Sequence, residues 1–253
     1  MTGEEAGKSK TMPVPSPFAY GGHGLPLTIK DRGISLSLQS QGTVLVYRRE
    51  CSGEQVEKIL SARGAEILIN PVEPVNKPKE ITPNLLIEFE RPMMLEPEGS
   101  ARVYVKYPVE IGVFVAGQAA YELLDVLTLQ GQKYTLYGDP RRGVLCRYWR
   151  SQIYPILPVA DPVLEGVMEL DLTNEADQWL QVTKAVLSAY GMKIYFDEQM
   201  VAMKATMRLF GERNAETDFQ DSPLREGMRK AEELYTSRRL LLATPKFVMA
   251  DGI

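Results

Sequence analysis

Residues 134–154, YTLYGDPRRGVLCRYWRSQIY, interleave arginines and aromatic residues as no other part of the sequence does. Guanidinium groups bind oxyanions through paired N–H donors and also stack on aromatic rings. These residue types predict a surface that holds an anionic or flat group, and they imply no reaction. The predicted binding residues are Arg141, Arg142, Arg147 and Trp149.

A hairpin is the simplest structure for this segment, with strands at 133–137 and 144–150 joined by a turn rich in Gly, Asp and Pro. Alternation predicts a core face with Cys146 and Tyr148 and an outer face on which Arg147 and Trp149 are close enough to stack. A second interpretation stays open. In it the aromatic residues belong to the core or its rim, and the arginines are solvated edge charges that deter pairing between sheets.

Two other hypotheses come from different residues. Carboxylates such as Asp171, Glu175 and Asp218, beside the arginines, predict an enzyme acting on a carbohydrate or a phosphate-bearing small molecule. Stacking of bases on the aromatic residues would instead predict binding of single-stranded nucleic acid. Both compete with the main hypothesis of a non-catalytic binding or protein-interaction module.

Motifs for the common catalytic and cofactor chemistries are absent from the sequence, including the phosphate-binding glycine loops and the zinc-protease and nucleophile-elbow signatures. The single histidine, His23, lies in a Gly-rich stretch that cannot hold a catalytic base rigidly. Cys146 is expected to be a buried, inert thiol. We therefore predict no catalytic residue, no metal site and no cofactor.

The 253 residues carry a net charge of −4, which argues against a protein that coats nucleic acid. Two distant cysteines without a CxxC spacing favour a reducing compartment, and we predict a cytoplasmic protein. The sequence holds no apolar run of membrane-spanning length. The predicted partner is another protein or an anionic ligand.

Recurrent short runs with a period of two predict a mainly β protein with an antiparallel β-sandwich architecture. Residues 1–24 are rich in Gly and Pro and predict a flexible tail outside the core. A break at 117–120 predicts two β-rich lobes, 25–118 and 119–253, although one larger sandwich stays open. Residues 200–210 fit a strand or a helix, and the polar residues on one face favour the strand.

Two helices are expected within this β-rich chain. Ser52, with Gln55 three residues later and Gly64 beyond, has the pattern of a capped short helix at about 53–63. Ser222 and Pro223 resemble an N-cap and first turn, followed by an apolar stripe, so the sequence predicts a helix over about 222–240.

Several strings across residues 66–240 together resemble the archaeal family named domain of unknown function 432. They are INPVEPVNKPKEIT, YPVEIGVFV, QKYTLYGDPRRGVLCRYW, GMKIYF and SPLREGMRKAEELYTSRR. The resemblance implies an archaeal cytoplasmic protein. It implies no activity and no catalytic residue, because the family has no established reaction.

Overall fold

A computed structural model of the chain describes residues 18–61, 66–74, 81–117, 120–234 and 246–253. These residues form strands and a single short 3-10 helix, Ala189–Gly191, and contain no α-helix. The chain is therefore mainly β, as predicted. The strands are β1 (Gly21–His23), β2 (Leu27–Asp31), β3 (Ile34–Gln41), β4 (Val44–Cys51), β5 (Glu54–Leu60), β6 (Ile67–Val72), β7 (Asn84–Leu95), β8 (Ser100–Pro108), β9 (Glu110–Ala116), β10 (Tyr121–Leu127), β11 (Tyr134–Tyr137), β12 (Val144–Ser151), β13 (Glu165–Asn174), β14 (Leu180–Ser188), β15 (Tyr195–Phe196), β16 (Val201–Leu209), β17 (Ala215–Gln220), β18 (Arg229–Lys230) and β19 (Phe247–Met249).

The described strands form four sheets, and most of their pairs are antiparallel. A meander sheet has the order β2-β3-β4-β5, and a second sheet, here the β9 sheet, has the order β1-β6-β9-β10. The hairpin sheet has the order β11-β12-β7-β14, in which β12 and β7 run parallel. A seven-stranded sheet follows β18-β15-β16-β13-β8, and β17 joins β16 to β19.

Three of these pairings connect distant parts of the chain. β7 lies between β12 and β14 in the hairpin sheet, and β8 pairs with β13 in the seven-stranded sheet. Strands that precede residue 118 therefore pair directly with strands that follow it. This long-range pairing places β12 in the interior of its sheet. It therefore determines where the predicted binding residues Arg147 and Trp149, which belong to β12, lie.

The meander sheet is attached to the β9 sheet by polar contacts as well as by its apolar face. The phenol of Tyr47 and Nε of Arg49 both donate to Asp125 Oδ2, each at 2.9 Å. Asp125 follows an irregularity in the β9–β10 register between Leu123 and Asp125. Such a bulge turns a side chain out of the regular alternation, and here it brings the carboxylate to the buried Arg49.

The predicted helix at about 53–63 is wrong for the residues that the structure describes. Residues 54–60 form β5, which pairs along its length with β4. Ser52 and Gly53 both have positive φ, 52° and 78°, as the two central residues of a tight hairpin turn require. The Ser-Gly pair therefore marks a hairpin turn, where the sequence pattern suggested a helix cap. Residues 62 and 63 lie outside the described residues.

The predicted helix at about 222–240 is also wrong where it is described, from 222 to 234. Gly227 takes a left-handed φ of 84°, and Arg229–Lys230 pair with β15. The backbone N–H of Glu232 donates to Asn70 and that of Leu234 donates to Glu73. In a helix these N–H groups would donate to carbonyls of the same segment. Here the side chains of Asn70 and Glu73 accept them, so tertiary contacts keep the segment in a non-helical conformation. Residues 235–240 lie outside the described residues.

The end of the segment predicted as a tail is part of the packed structure. β1 pairs with β6, and Phe18 and Tyr20 are buried. The phenol of Tyr20 donates to the carbonyl of Pro162 at 2.9 Å. Two aromatic side chains supply enough apolar area to hold this Gly-rich stretch against the sheets. Residues 1–17 lie outside the described part of the chain.

Candidate binding cleft beside the 134–154 hairpin

The predicted hairpin is confirmed, with Tyr134–Tyr137 pairing with Val144–Arg147. Its turn is built by Asp139, whose Oδ1 accepts the N–H of Arg141 at 2.8 Å. The carbonyl of Asp139 also accepts the N–H groups of Arg142 and Gly143. Asp139 is therefore a turn-forming residue of the kind that Asx turns use.

The four predicted binding residues do not come together. Arg141 and Arg142 are exposed at the turn. Arg147 is only 1% exposed and Trp149 is half-buried on the same strand. The cation–π contacts of the described residues do not include a pair between Arg147 and Trp149.

The expectation that Arg147 lies on an outer face is wrong. Its Nη1 donates to Glu110 Oε1 at 2.9 Å, and Glu110 is completely buried. Cys146, on the opposite face of β12, is completely buried as well. β12 lies between β11 and β7, and it is buried on both faces at Cys146 and Arg147. Alternation alone cannot distinguish such a stretch from a half-buried strand.

The cleft itself lies on the face of the hairpin sheet that carries Tyr148. Its volume is about 570 Å³. All four strands of the sheet supply its floor, and the residues in strand order are Thr135 and Tyr137 from β11, Tyr148 from β12, Leu86 and Glu88 from β7, and Lys184 from β14. The walls are Leu136, Gly138 and Asp139 of the hairpin, Arg213 in the connection from β16 to β17, and residues 250–252.

Charges of both signs line the cleft. Lys184 and Arg213 carry positive charge, and Glu88, Asp139 and Asp251 carry negative charge. Within the described structure none of these five forms an ion pair with another, although Lys184 and Glu88 are register partners on adjacent strands. The ammonium of Lys184 lies 5.8 Å from the centre of the Tyr137 ring, within range of a cation–π contact. Both cations are therefore available to an incoming anionic group.

Two tyrosines hold the floor of the cleft in place. The phenol of Tyr137 donates to the carbonyl of Gly252 at 2.9 Å and accepts the N–H of Asp251 at 3.0 Å, which ties the 250–252 wall to the floor. Burial raises the pKa of both phenols, and a hydrogen bond to Glu88 raises that of Tyr148 further. Both phenols therefore stay neutral at physiological pH, and they present polar groups without adding charge.

The carboxylates of the enzyme hypothesis lie elsewhere. Asp171 accepts from Nε of Arg102 at 2.7 Å, and Glu175 accepts from Nε of Arg208 at 2.7 Å. Asp218 accepts the backbone N–H of Phe219. None of the three lines the cleft. Contacts of this kind are typical of carboxylates on the polar surface of a sheet and in its turns.

Cys146 and His23 from the sequence analysis have structural roles, and so does Asn174 next to Glu175. Cys146 is buried, and burial raises the pKa of its thiol to about 12, as expected for an inert cysteine. His23 contacts the carbonyl of Ala19 through Nε2 at 2.8 Å. Asn174 anchors the turn after β13, because its amide donates to three backbone carbonyls. The described residues contain no group of three or more His, Cys, Asp or Glu side chains that could hold a metal ion.

Sequence reasoning missed Glu88, Lys184, Arg213 and Asp251. A signal existed for two of them, because Glu88 lies between Ile87 and Phe89, and Lys184 is the single charged residue of β14. Arg213 and Asp251 follow from tertiary packing alone. They lie in irregular segments that reach the cleft only because β16, β17 and β19 are adjacent in the seven-stranded sheet.

Comparison with known proteins gives a family and no function. No curated protein and no solved structure matches the chain. Among the described residues there is no helix with the length and hydropathy of a membrane span. The model of the family described as protein of unknown function DUF432 matches residues 19–250. Because this match covers most of the chain, the protein belongs to the DUF432 family.

Proposed function

We propose that the protein is a non-catalytic binding module that takes an extended segment of a partner protein into the cleft beside the 134–154 hairpin. The observation that carries the proposal is the pair of cations, Lys184 and Arg213, that line a cleft of about 570 Å³ without an ion-pair partner in the described structure. An acidic side chain of the partner supplies the missing counter-charge.

The free edge of β11 supports a polypeptide ligand. β11 pairs with β12 on one side, and its other edge is not paired within the described residues. Five consecutive residues, 135–139, line the cleft, so a segment bound there lies beside this edge. An extended segment that adds to a sheet edge gains main-chain hydrogen bonds, and the side chains of the cleft then supply specificity.

Exposed apolar side chains on the other face of the hairpin favour a protein partner over a free small anion. Leu136 and Leu145 are register partners on the face opposite Tyr148, and they are 43% and 41% exposed. A segment that adds to the edge of β11 projects its side chains alternately to both faces of the sheet. It can therefore cover this pair on one face and place an acidic group near Lys184 on the other, which combines an apolar contact with a charged contact as protein interfaces do. The acids Glu88, Asp139 and Asp251 repel a uniformly acidic partner and so select a segment of mixed charge.

The proposal also includes the β-sandwich architecture and the cytoplasmic location of the protein. We infer that the sheets pack face to face as a β-sandwich, which is supported by the bond from Thr217 on β17 to the carbonyl of Val186 on β14 at 2.6 Å. A cytoplasmic location is supported by the two free, buried cysteines. The division into lobes near residue 118 stays a prediction.

Charge reversal in the cleft tests the proposal. Wild type and the double variant Lys184→Glu with Arg213→Glu are titrated with acidic, basic and mixed-charge peptides, and Arg91→Glu on exposed surface is the matched control. We expect mixed-charge peptides with an acidic residue to bind wild type and the control, and to bind the double variant at least about tenfold more weakly. Equal affinity for wild type and the double variant would refute the cleft as the binding site.

A further inference from the structure

A second feature lies inside the protein, behind the hairpin, where Arg147 meets Glu110. The guanidinium uses one nitrogen, Nη1, to donate to Glu110 Oε1 at 2.9 Å. Its Nε and Nη2 atoms are fully buried and have no hydrogen-bond partner in the described structure. These two nitrogens form one edge of the guanidinium plane. Both N–H donors of this edge, which together can bind two oxygens of one group, are therefore without a partner.

Other groups around this edge also lack partners. Glu110 Oε2, Thr128 Oγ1 and the indole Nε1 of Trp149 are buried without a hydrogen bond among the described residues. Trp149 lies two residues beyond Arg147 on the same face of β12. Nitrogen donors therefore outnumber acceptors among the unpartnered atoms, and the group that satisfies them must be rich in acceptors.

Leaving these groups without partners would be costly. A buried donor without a partner costs about 1–3 kcal/mol, and more when it belongs to a charged group. The open edge of a guanidinium matches the two oxygens of a carboxylate in spacing and plane. We propose that Arg147 binds a small oxyanion of the carboxylate class at this internal site, through Nε and Nη2, with Glu110 as the neighbouring acid.

Charge balance gives the site a further property. One guanidinium cannot neutralise both a bound oxyanion and an ionised Glu110, so binding favours protonated Glu110, which takes its proton from solvent. Burial raises the pKa of Glu110, against the lowering effects of Arg147 and Gln132. Gln132 donates to the same Oε1 at 2.9 Å and in turn accepts from the phenol of Tyr134. Affinity for the oxyanion is therefore expected to rise as the pH falls.

This site is independent of the cleft proposal, because Arg147 and Tyr148 project from opposite faces of β12. Formate and acetate are suitable probes, with chloride at equal ionic strength as the control. The sequence contains two tryptophans, and Trp179 is 59% exposed, so a Trp179→Phe background leaves Trp149 as the fluorescent reporter. Binding is followed by Trp149 fluorescence and by the melting temperature.

We expect formate, unlike chloride, to change the Trp149 fluorescence and raise the melting temperature in proportion to the logarithm of its concentration. The affinity should increase roughly tenfold per pH unit as the pH falls toward the pKa of Glu110. Glu110→Gln keeps an acceptor for Nη1 without the charge, so it should bind formate more tightly and lose the pH dependence. Arg147→Lys keeps the charge without the fork and should lose the response.

Two results would overturn the assignment. One is a wild-type protein that responds to formate no more than to chloride, which would mean that water alone satisfies the guanidinium edge. The other is an Arg147→Lys variant that folds and responds as strongly as wild type. The comparison of formate with chloride needs no substitution at Arg147 or Glu110, so a failure of either variant to fold leaves the site testable.

Discussion

Arg147 on β12 and Glu110 at the start of β9 form an ion pair of 2.9 Å in which the two side chains are 1% and 0% exposed. The pair joins the hairpin sheet to the β9 sheet, since each partner belongs to a different sheet. Arg147, which the sequence predicts to contact ligands at the surface, thus connects two sheets inside the protein. Its substitution is expected to act first on stability.

Removal of one partner leaves the other as an uncompensated buried charge. Arg147→Met or Glu110→Ala is expected to lower the free energy of unfolding by about 3–5 kcal/mol, measured by urea denaturation at neutral pH. Arg102→Ala is the matched control, because Arg102 pairs with Asp171 on the exposed face of the seven-stranded sheet. The control should leave the denaturation midpoint almost unchanged.

The double variant Arg147→Met with Glu110→Leu tests whether the unpaired buried charge causes the loss of stability in the single variants. Replacing both charges with apolar side chains removes the unpaired charge, so the double variant should be more stable than either single variant. Single variants as stable as wild type would contradict the buried pair as a determinant of stability.

Glu73 gives the protein a pH-dependent contact. Burial raises its pKa from 4.5 to about 8, and both carboxylate oxygens lie 3.1 Å from the N–H of Leu234. Between these two pKa values the folded chain holds a proton that the unfolded chain has released. This contribution to stability is therefore complete below about pH 4.5 and is lost as the pH rises through about 8, with a slope of about 1.4 kcal/mol per pH unit.

Comparison of wild type with Glu73→Gln isolates this effect from other titrating groups. The difference in free energy of unfolding between the two proteins should shift toward the variant as the pH rises from about 5 to about 8. Parallel stability curves over that interval would show that Glu73 titrates in the folded chain as it does in water.

Both cysteines should be unreactive in the folded protein. Cys51 and Cys146 are free and buried, and burial raises the pKa of Cys146 to about 12. Since the thiolate is the reactive form, iodoacetamide at about pH 8 should modify neither residue in native protein and both residues after denaturation. Mass spectrometry counts the adducts, and rapid native modification of Cys146 would contradict its complete burial.

Local alternation predicted much of the sheet structure. The burial of β3 over Ile34–Leu38 and of β4 over Tyr47–Cys51 follows the period of two, and the ambiguous 200–210 segment contains the strand β16, as its polar face indicated. The hairpin turn at Asp139 was also predictable, because Asp, Pro and Gly favour turns through their own local geometry.

The wrong predictions share a physical cause, which is that tertiary contacts override local patterns. Ser52 and Gln55 fit the pattern of a helix cap, but the pairing of β4 with β5 places Ser52 in a hairpin turn and Gln55 in a strand. The 222–234 segment is kept from forming a helix by Asn70 and Glu73, which lie more than a hundred residues earlier. The burial of Arg147 required knowledge that β7 pairs beside β12.

The location of a bound partner segment tests the central claim most directly. Backbone hydrogen exchange is measured for wild type alone and saturated with a peptide selected in the charge-reversal titration. Addition of a strand to β11 predicts slower exchange at residues 134–139, with smaller changes at 250–252 on the facing wall. Saturation with peptide while exchange at 134–139 stays unchanged would contradict the proposed binding site.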